Sequence, residues 1–173
     1  MNEVIQTIIN RRSTRKYLDK KVNEKIIDGI VNAGRYAPSA MNKQDCIILV
    51  ISNKEIINNL SKINAQVMGK EDIDPFYGAP TLITVLGPSD SPSLFKNGAC
   101  IIENMMIACE ALGLGSCWIN RADKVFESEY GKKILKCLNV GDNLKAVGHL
   151  VVGYKANAVI PNKIISGNKV YKI

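Results

Sequence analysis

Histidine is almost missing from this sequence: His149 is the only one in 173 residues. With a single imidazole available, a Ser-His-Asp or Cys-His hydrolase has little to work with. His149 itself lies in the apolar run Leu144 to Gly153, which reads as a buried strand, so its place is structural rather than catalytic. The five cysteines (Cys46, Cys100, Cys109, Cys117, Cys137) are odd in number, widely spaced and never form C-x-x-C. That pattern excludes a zinc site of the usual Cys/His spacing and reads as buried, reduced thiols of a cytosolic protein. Aromatic residues make up only 6% and the lysines are scattered, so nucleic acid is not the expected partner despite a net charge of +7. No run approaches the ~20 apolar residues of a membrane span. Met1 to Gln6 has no basic stretch leading into an apolar one, so no secretory leader is read. The expectation is a soluble, cytoplasmic chain with no membrane partner. The dinucleotide fingerprint fails as well: after Gly113 and Gly115 the third glycine would stand at 118, where Trp118 is found, and the stretch follows a helix instead of a strand.

What is present suffices for one domain over residues 1–173, with 154–173 as a C-terminal extended arm. The chain is 46% apolar, enough for a core without disulfides. Asn2 caps a helix from Glu3 to Asn10, with Val4, Ile5, Ile8 and Ile9 on one face. Asn23 caps a second, with Ile26, Ile27, Ile30 and Val31 at helical spacing, and Pro38 to Asn42 is a loop by composition. Cys46 to Ile51 is a short apolar strand, and Ser52 or Asn53 caps a third helix. Gly69 to Gly78 reads as a polar, mobile loop, and Thr81 to Leu86 as a second buried strand. A long helix runs from about Ser93 to Leu112 and is apolar almost all round, which suits a central helix or a subunit interface. One more helix covers Glu127 to Leu138, ahead of the strand with His149, and the tail from Tyr154 has no helical period. Helices and strands alternating without strict βαβ spacing make an α+β fold, a sheet clothed by helices.

Basic charge is concentrated in one place, Arg11-Arg12-Ser13-Thr14-Arg15-Lys16. Guanidinium forks with a hydroxyl suit one dianionic phosphate better than a long polyanion. A solvated basic turn, favoured by the dipole at a helix C-terminus, is the alternative.

Three segments then combine: Arg11 to Tyr17 after the first helix, Ala37-Pro38-Ser39-Ala40-Met41-Asn42-Lys43-Gln44 after the second, and Ala111 to Ile119 closing the long helix. In this order and spacing they resemble the FMN-dependent nitroreductase family in its short form, over about Val4 to Gly153. The resemblance implies a homodimer with a mixed four- to five-stranded sheet, long helices between subunits and two FMN sites at the interface. Arg11, Ser13 and Arg15, with Arg12 close by, would meet the phosphate and ribityl side of FMN. Pro38, Ser39, Ala40 and Asn42 of the partner would line the ring, with Gln44 nearby. Cys117, Trp118, Ile119 and Asn120 would pass along it, although Trp118 reads equally as a core aromatic and Cys117 as packing.

Relatives often carry a basic pair in the tail; here Pro161-Asn162-Lys163 offers one cation, so Lys163 is the expected phosphate contact, with Lys155 and Lys169 as substitutes. The stretch Asn64 to Gly78, which in relatives often roofs the substrate, is short and polar. The implied activity is hydride transfer from NAD(P)H through flavin N5 to an electron-poor acceptor such as a nitroaromatic or quinone, with ping-pong kinetics. No catalytic side chain and no metal are called for, because tightly bound FMN carries the chemistry. Ene reduction, dehalogenation, destruction of flavin, or a flavin-binding sensor without turnover are the alternatives on the same scaffold.

Overall fold

Three asparagines start three helices. The Asn2 side chain accepts from the Val4 N–H (2.9 Å) and opens α1, Glu3–Asn10. Asn23 does the same for the Lys25 N–H (2.9 Å) at the start of α2, Glu24–Arg35. Asn53, rather than Ser52, caps α3, Lys54–Met68, by accepting from the Glu55 and Ile56 N–H groups (2.9 and 3.1 Å). Each cap answers donors that a helix N-terminus would otherwise leave unpaired. The structure, a computed structural model, describes residues 1–156, 164–167 and 169–173. Lys163 lies outside the described residues.

Four strands form one sheet: β1 Ile47–Ile51, β2 Thr81–Pro88, β3 Gly115–Ile119 and β4 Leu144–Gly153, in the order β1-β2-β4-β3. Every neighbouring pair is antiparallel. The parallel component expected of a mixed sheet is reduced to one isolated bridge, Ser13 to Ser116. It stays isolated because the segment 13–17 moves on to pair antiparallel with the chain after β4, Tyr17 with Lys155, and so runs along neither strand.

Strand residues alternate between two covered faces. Ile83, Val85, Leu150 and Val152 face α2 and the long helix α4, Leu94–Ala111, through Ile30, Ile102 and Met105. Leu82, Leu86, Cys117, Ile119 and Val151 face α3 and α5, Ala122–Glu127, through Leu60, Val125 and Phe126. Helix α4 does not present a dry surface all round. Its buried side chains lie on one face, while Phe95 and Cys100 are exposed and Glu103, Asn104 and Glu110 interrupt the rest. The more exposed apolar stripe belongs to α1, which buries none of its residues and leaves Val4, Ile5, Ile8 and Ile9 exposed.

One reading needs refining and another correcting. The helix expected over Glu127 to Leu138 is α6, Glu129–Leu138, and the unexpected short helix α5 precedes it across Ser128, whose backbone is extended (φ −66°, ψ 160°). The Ser128 hydroxyl donates to the Val125 carbonyl (2.6 Å) and accepts from the Gly131 N–H (3.1 Å), so one side chain ends one helix and begins the next. The stretch 64–78 is neither a loop from its start nor a loose one. Helix α3 continues to Met68, and Asn64 is fully buried, donating to the Asn120 carbonyl (2.9 Å). Asp74 then accepts from the Ser61 hydroxyl and from the Phe76 and Gly78 N–H groups, and the Phe76 ring is buried against His149.

His149 has the structural place read for it. Its Nδ1 bonds the Thr84 hydroxyl (2.8 Å), with the Phe76 and Phe126 rings alongside, and burial pulls its pKa down to about 3.

Two outcomes follow from this packing. A Cβ at Gly131 would come within 2.5 Å of the Phe126 Cα and the Val125 carbonyl, so Gly131→Ala should cost about 1–3 kcal/mol, read as a lowered Tm. Below pH 6.5 the unfolded chain protonates its imidazole while the folded chain keeps it neutral down to about 3. Stability should therefore fall as pH falls through that window, with this group's slope approaching about 1.4 kcal/mol per pH unit. Denaturant melts across the window should show a flatter slope for His149→Gln, and an imidazole NMR signal titrating near its ordinary value would contradict the burial.

Candidate functional site

Residues 11–17 do not hang from α1 as a free turn. The Thr14 N–H donates to the Ser116 carbonyl (2.9 Å), and Ser13 pairs with Ser116. Close seating on β3 depends on Gly115: a Cβ there would lie 2.6–2.8 Å from the Thr14 side chain. Thr14 is buried, and its hydroxyl has no protein partner among the described residues. Ser13, Arg15 and Arg11 all lie close enough to the Cys117 thiol to favour its charged form. Burial pushes the Cys117 pKa up, and Arg15, Ser13 and Arg11 pull it partly back. It stays a neutral, 3% exposed thiol, the packing role read for it.

The basic residues divide by role. The Arg11 Nε lies 3.5 Å from Glu103 Oε1 and its Nη1 4.0 Å from the Met106 sulfur, so α4 braces this guanidinium from one side. Arg12 donates to the Ile9 and Arg11 carbonyls (2.6 and 2.8 Å), which is the helix-end capping that the alternative reading described. Arg15 is exposed. Arg11, Ser13 and Arg15 therefore form one donor cluster beside β3, a set suited to an oxyanion of two charges. Lys155 is already committed: it sits 2.8 Å from Glu110, both side chains mostly buried. Lys169 is exposed in the tail.

The second segment folds into a single 3-10 turn, Ala40–Asn42. The Ala40 N–H donates to Asn97 Oδ1 on α4 (3.0 Å), Ser39 Oγ accepts from the Gln44 N–H (3.0 Å), and Gln44 Nε2 donates to Asn42 Oδ1 (2.7 Å). Met41, Asn42 and Gln44 all have left-handed backbone (φ 54°, 53° and 51°). Three such non-glycine residues in four positions are strained, and strain of this kind concentrates at functional sites. Behind the turn lies a cavity of about 170 Å³ lined by Arg35, Ser39, Asp45, Cys46 and Asn97. Burial and the neighbouring Asp45 push the Cys46 thiol up to about 11. An adjoining groove of about 410 Å³ is lined by Asn32, Arg35, Tyr36, Pro38, Asn42 and Gln44.

Within one chain these two places are apart. Asn97, which holds the turn, and Met106, under Arg11, are nine residues apart on α4, or about 13 Å at the helical rise. The third segment divides between the faces of the sheet. Cys117 and Ile119 point toward α3 and α5, whereas the half-buried Trp118 indole packs on the core at Gly148 on the α4 side. Asn120 follows the far end of β3, where its carbonyl takes the Asn64 amide. Sequence reasoning missed Glu103, Asn97 and Asp45. For Asn97 and Glu103 the available signal was a polar residue inside an otherwise apolar helix, which needs a reason to be there.

Comparison with known proteins agrees with this arrangement. The model of the nitroreductase family matches residues 8–154. A Methanothermobacter thermautotrophicus protein with the provisional name NADH dehydrogenase/NAD(P)H nitroreductase is 31% identical over 120 residues, 67% of this chain and 60% of that protein. The chain thus spans less than two thirds of that relative. An FMN reductase (NADPH) of Bacillus subtilis is 28% identical over 91% of this chain and 68% of its own. Among solved structures, a nitroreductase with bound FMN from Bacteroides fragilis superposes with a TM-score of 0.91 at 30% identity, covering all of both chains. A second FMN-bound nitroreductase, from Desulfitobacterium hafniense, shares the fold at 20% identity (TM-score 0.88, all of this chain and 99% of that one). A basic turn seated on β3, a strained small-residue turn and a match along most of the sequence converge on one conclusion: this chain belongs to the nitroreductase family.

Proposed function

We propose that the chain is an FMN-dependent oxidoreductase that takes hydride from NAD(P)H and delivers it, in ping-pong fashion, to an electron-poor acceptor such as a nitroaromatic or quinone. The observation that carries this reading is the cluster of Arg11, Ser13 and Arg15 on β3. Its donor set fits the phosphate of FMN: two guanidinium groups for the charge and a hydroxyl for a third oxygen. FMN, when bound, supplies the hydride chemistry. The chain's own residues bind and orient: α4 holds Arg11 through Glu103 and Met106, and the turn at Ala40 is fixed by Asn97. No proton-transferring side chain is required, in keeping with a lone histidine that is buried and neutral.

A homodimer completes the reading. The turn 38–44 stands about 13 Å along α4 from the basic cluster, and the family resemblance assigns it to the flavin held by the partner. The uncovered stripe Val4, Ile5, Ile8 and Ile9 and the exposed tail residues Ile164, Ile165, Val170 and Tyr171 supply apolar surface that a second copy would cover.

Purified protein should carry a flavin band that NAD(P)H bleaches anaerobically. Arg11→Ala/Arg15→Ala should lose FMN, each charge-assisted bond being worth about 1.5–3 kcal/mol. Retention of FMN at wild-type affinity would remove the cluster from the site. A flavin band that NAD(P)H does not bleach would turn the protein into a sensor.

Mixing an Arg11→Ala/Arg15→Ala chain with an Asn42→Ala chain should restore activity that neither homodimer has, because one of the two shared sites is then intact. No recovery despite subunit exchange confirmed by mass would place both lesions in one chain's site.

A further inference from the structure

Residue 17 is a tyrosine where the packing asks only for a ring. The Tyr17 ring lies against the end of β4, where a Cβ on Gly153 would come within 2.9 Å of its Cδ1, and it packs on the buried cluster that holds Cys117 and Phe76. A phenylalanine would fill that seat equally well. The hydroxyl is an addition, and a hydroxyl carried into a part-buried place costs free energy unless it finds a partner. Here it has one: Tyr17 Oη donates to the Thr14 carbonyl at 2.7 Å. Burial pushes the Tyr17 pKa well above its ordinary value, with the Cys117 and Cys109 thiols and Tyr77 adding to the shift and Arg15 opposing it. The hydroxyl therefore keeps its proton, and stays a donor, through the neutral and mildly alkaline range.

The bond closes a short loop, Thr14 to Tyr17, with Arg15 at its tip. Both ends of the loop are already seated. The Thr14 N–H donates to the Ser116 carbonyl (2.9 Å) on β3. Tyr17 bridges Lys155, and to either side the Ala156 N–H donates to the Lys16 carbonyl (3.1 Å) and the Leu18 N–H to the Tyr154 carbonyl (2.9 Å). Arg15 is exposed between them, near enough to the Tyr17 hydroxyl and the Cys117 thiol to act on both electrostatically. Thr14 is only 5% exposed, so without the phenol its carbonyl would lose this partner in a place largely shielded from water. An exposed arginine on a loose loop gives up backbone and rotamer freedom when it grips an anion; on a loop already closed it gives up less.

We propose that Tyr17 is a positioning residue for the phosphate end of FMN: its hydroxyl, by holding the Thr14 carbonyl, fixes the loop that presents Arg15 beside Arg11 and Ser13. The role rests on that cluster being the seat of the phosphate. Tyr17 itself touches no ligand; it contributes a loop that is set before the ligand arrives.

Tyr17→Phe removes one oxygen and keeps the ring, so the variant should fold with an unchanged far-UV CD spectrum. Equilibrium dialysis of the purified protein gives Kd for FMN and for riboflavin, which has the same ring and ribityl chain but no phosphate. Tyr17→Phe should weaken FMN about fivefold, the size of one net hydrogen bond, and leave riboflavin at its wild-type Kd. In an Arg15→Ala background the same substitution should change FMN affinity by less than about twofold, because the loop then has no charge to aim. Wild-type FMN affinity in Tyr17→Phe overturns the inference. So does an equal loss for riboflavin, the mark of a general loosening of the fold, or a loss as large in the Arg15→Ala background as outside it. Arg15→Ala alone separates this role from the reading beneath it. If Arg15→Ala weakens FMN and Tyr17→Phe does not, the cluster stands and Tyr17 has no part in it. If Arg15→Ala binds FMN as wild type does, the cluster is not the phosphate's seat and the role of Tyr17 falls with it.

Discussion

The contact between Thr14 and Gly115 is where the rest of the site begins. Because Gly115 has no side chain, the segment leaving α1 can lie directly on β3, with the Thr14 N–H donating to the Ser116 carbonyl. That seating turns Ser13 to the Cys117 thiol and carries Arg11 back against α4, where Glu103 and Met106 receive it. Any side chain at 115 would collide with Thr14 at under 3 Å and lift the whole basic turn. The donors would then stand in solvent, where a charged pair or phosphate contact is worth little.

Helix α4 serves as the ruler on which the functional parts are laid out. Asn97 fixes the strained turn, Glu103 and Met106 brace Arg11, and Glu110 pairs with Lys155 at the start of the tail. These are the polar interruptions of an otherwise apolar helix. Each is part-buried or buried against a specific partner, so each orders a segment that would otherwise be free. The turn and the basic cluster are thus held at different levels of one helix, while the apolar stripe of α1 stays uncovered.

Positive charge is accordingly not diffuse in its effect. Arg12 is spent on the carbonyls at the end of α1 and Lys155 on Glu110, whereas Arg15 is exposed beside β3 and Arg11 is braced there by Glu103. That place is rigid, built on a sheet strand; the turn at 38–44 instead has three left-handed residues in four positions.

Local signals in the sequence determined the asparagine caps, the two central strands, the buried neutral His149 and the basic cluster. Each depends on residues near in sequence: a side chain two positions from its N–H, or an apolar run long enough to declare itself. Decisions made by distant contacts were not legible. Strand β3 exists because Gly115 to Ile119 pairs with the end of β4, and its glycine and serine start carries no strand signal of its own. The fastening of residues 69–78 reflects Asp74 bonded to Ser61 on α3 and a Phe76 ring buried against His149. Strand alternation also decided that Trp118 packs on the core on one face while Cys117 lies near Ser13 on the other. Residue type and spacing named the chemistry; only the register of β3 and the length of α4 set which of those residues meet, because both are fixed by partners far along the chain.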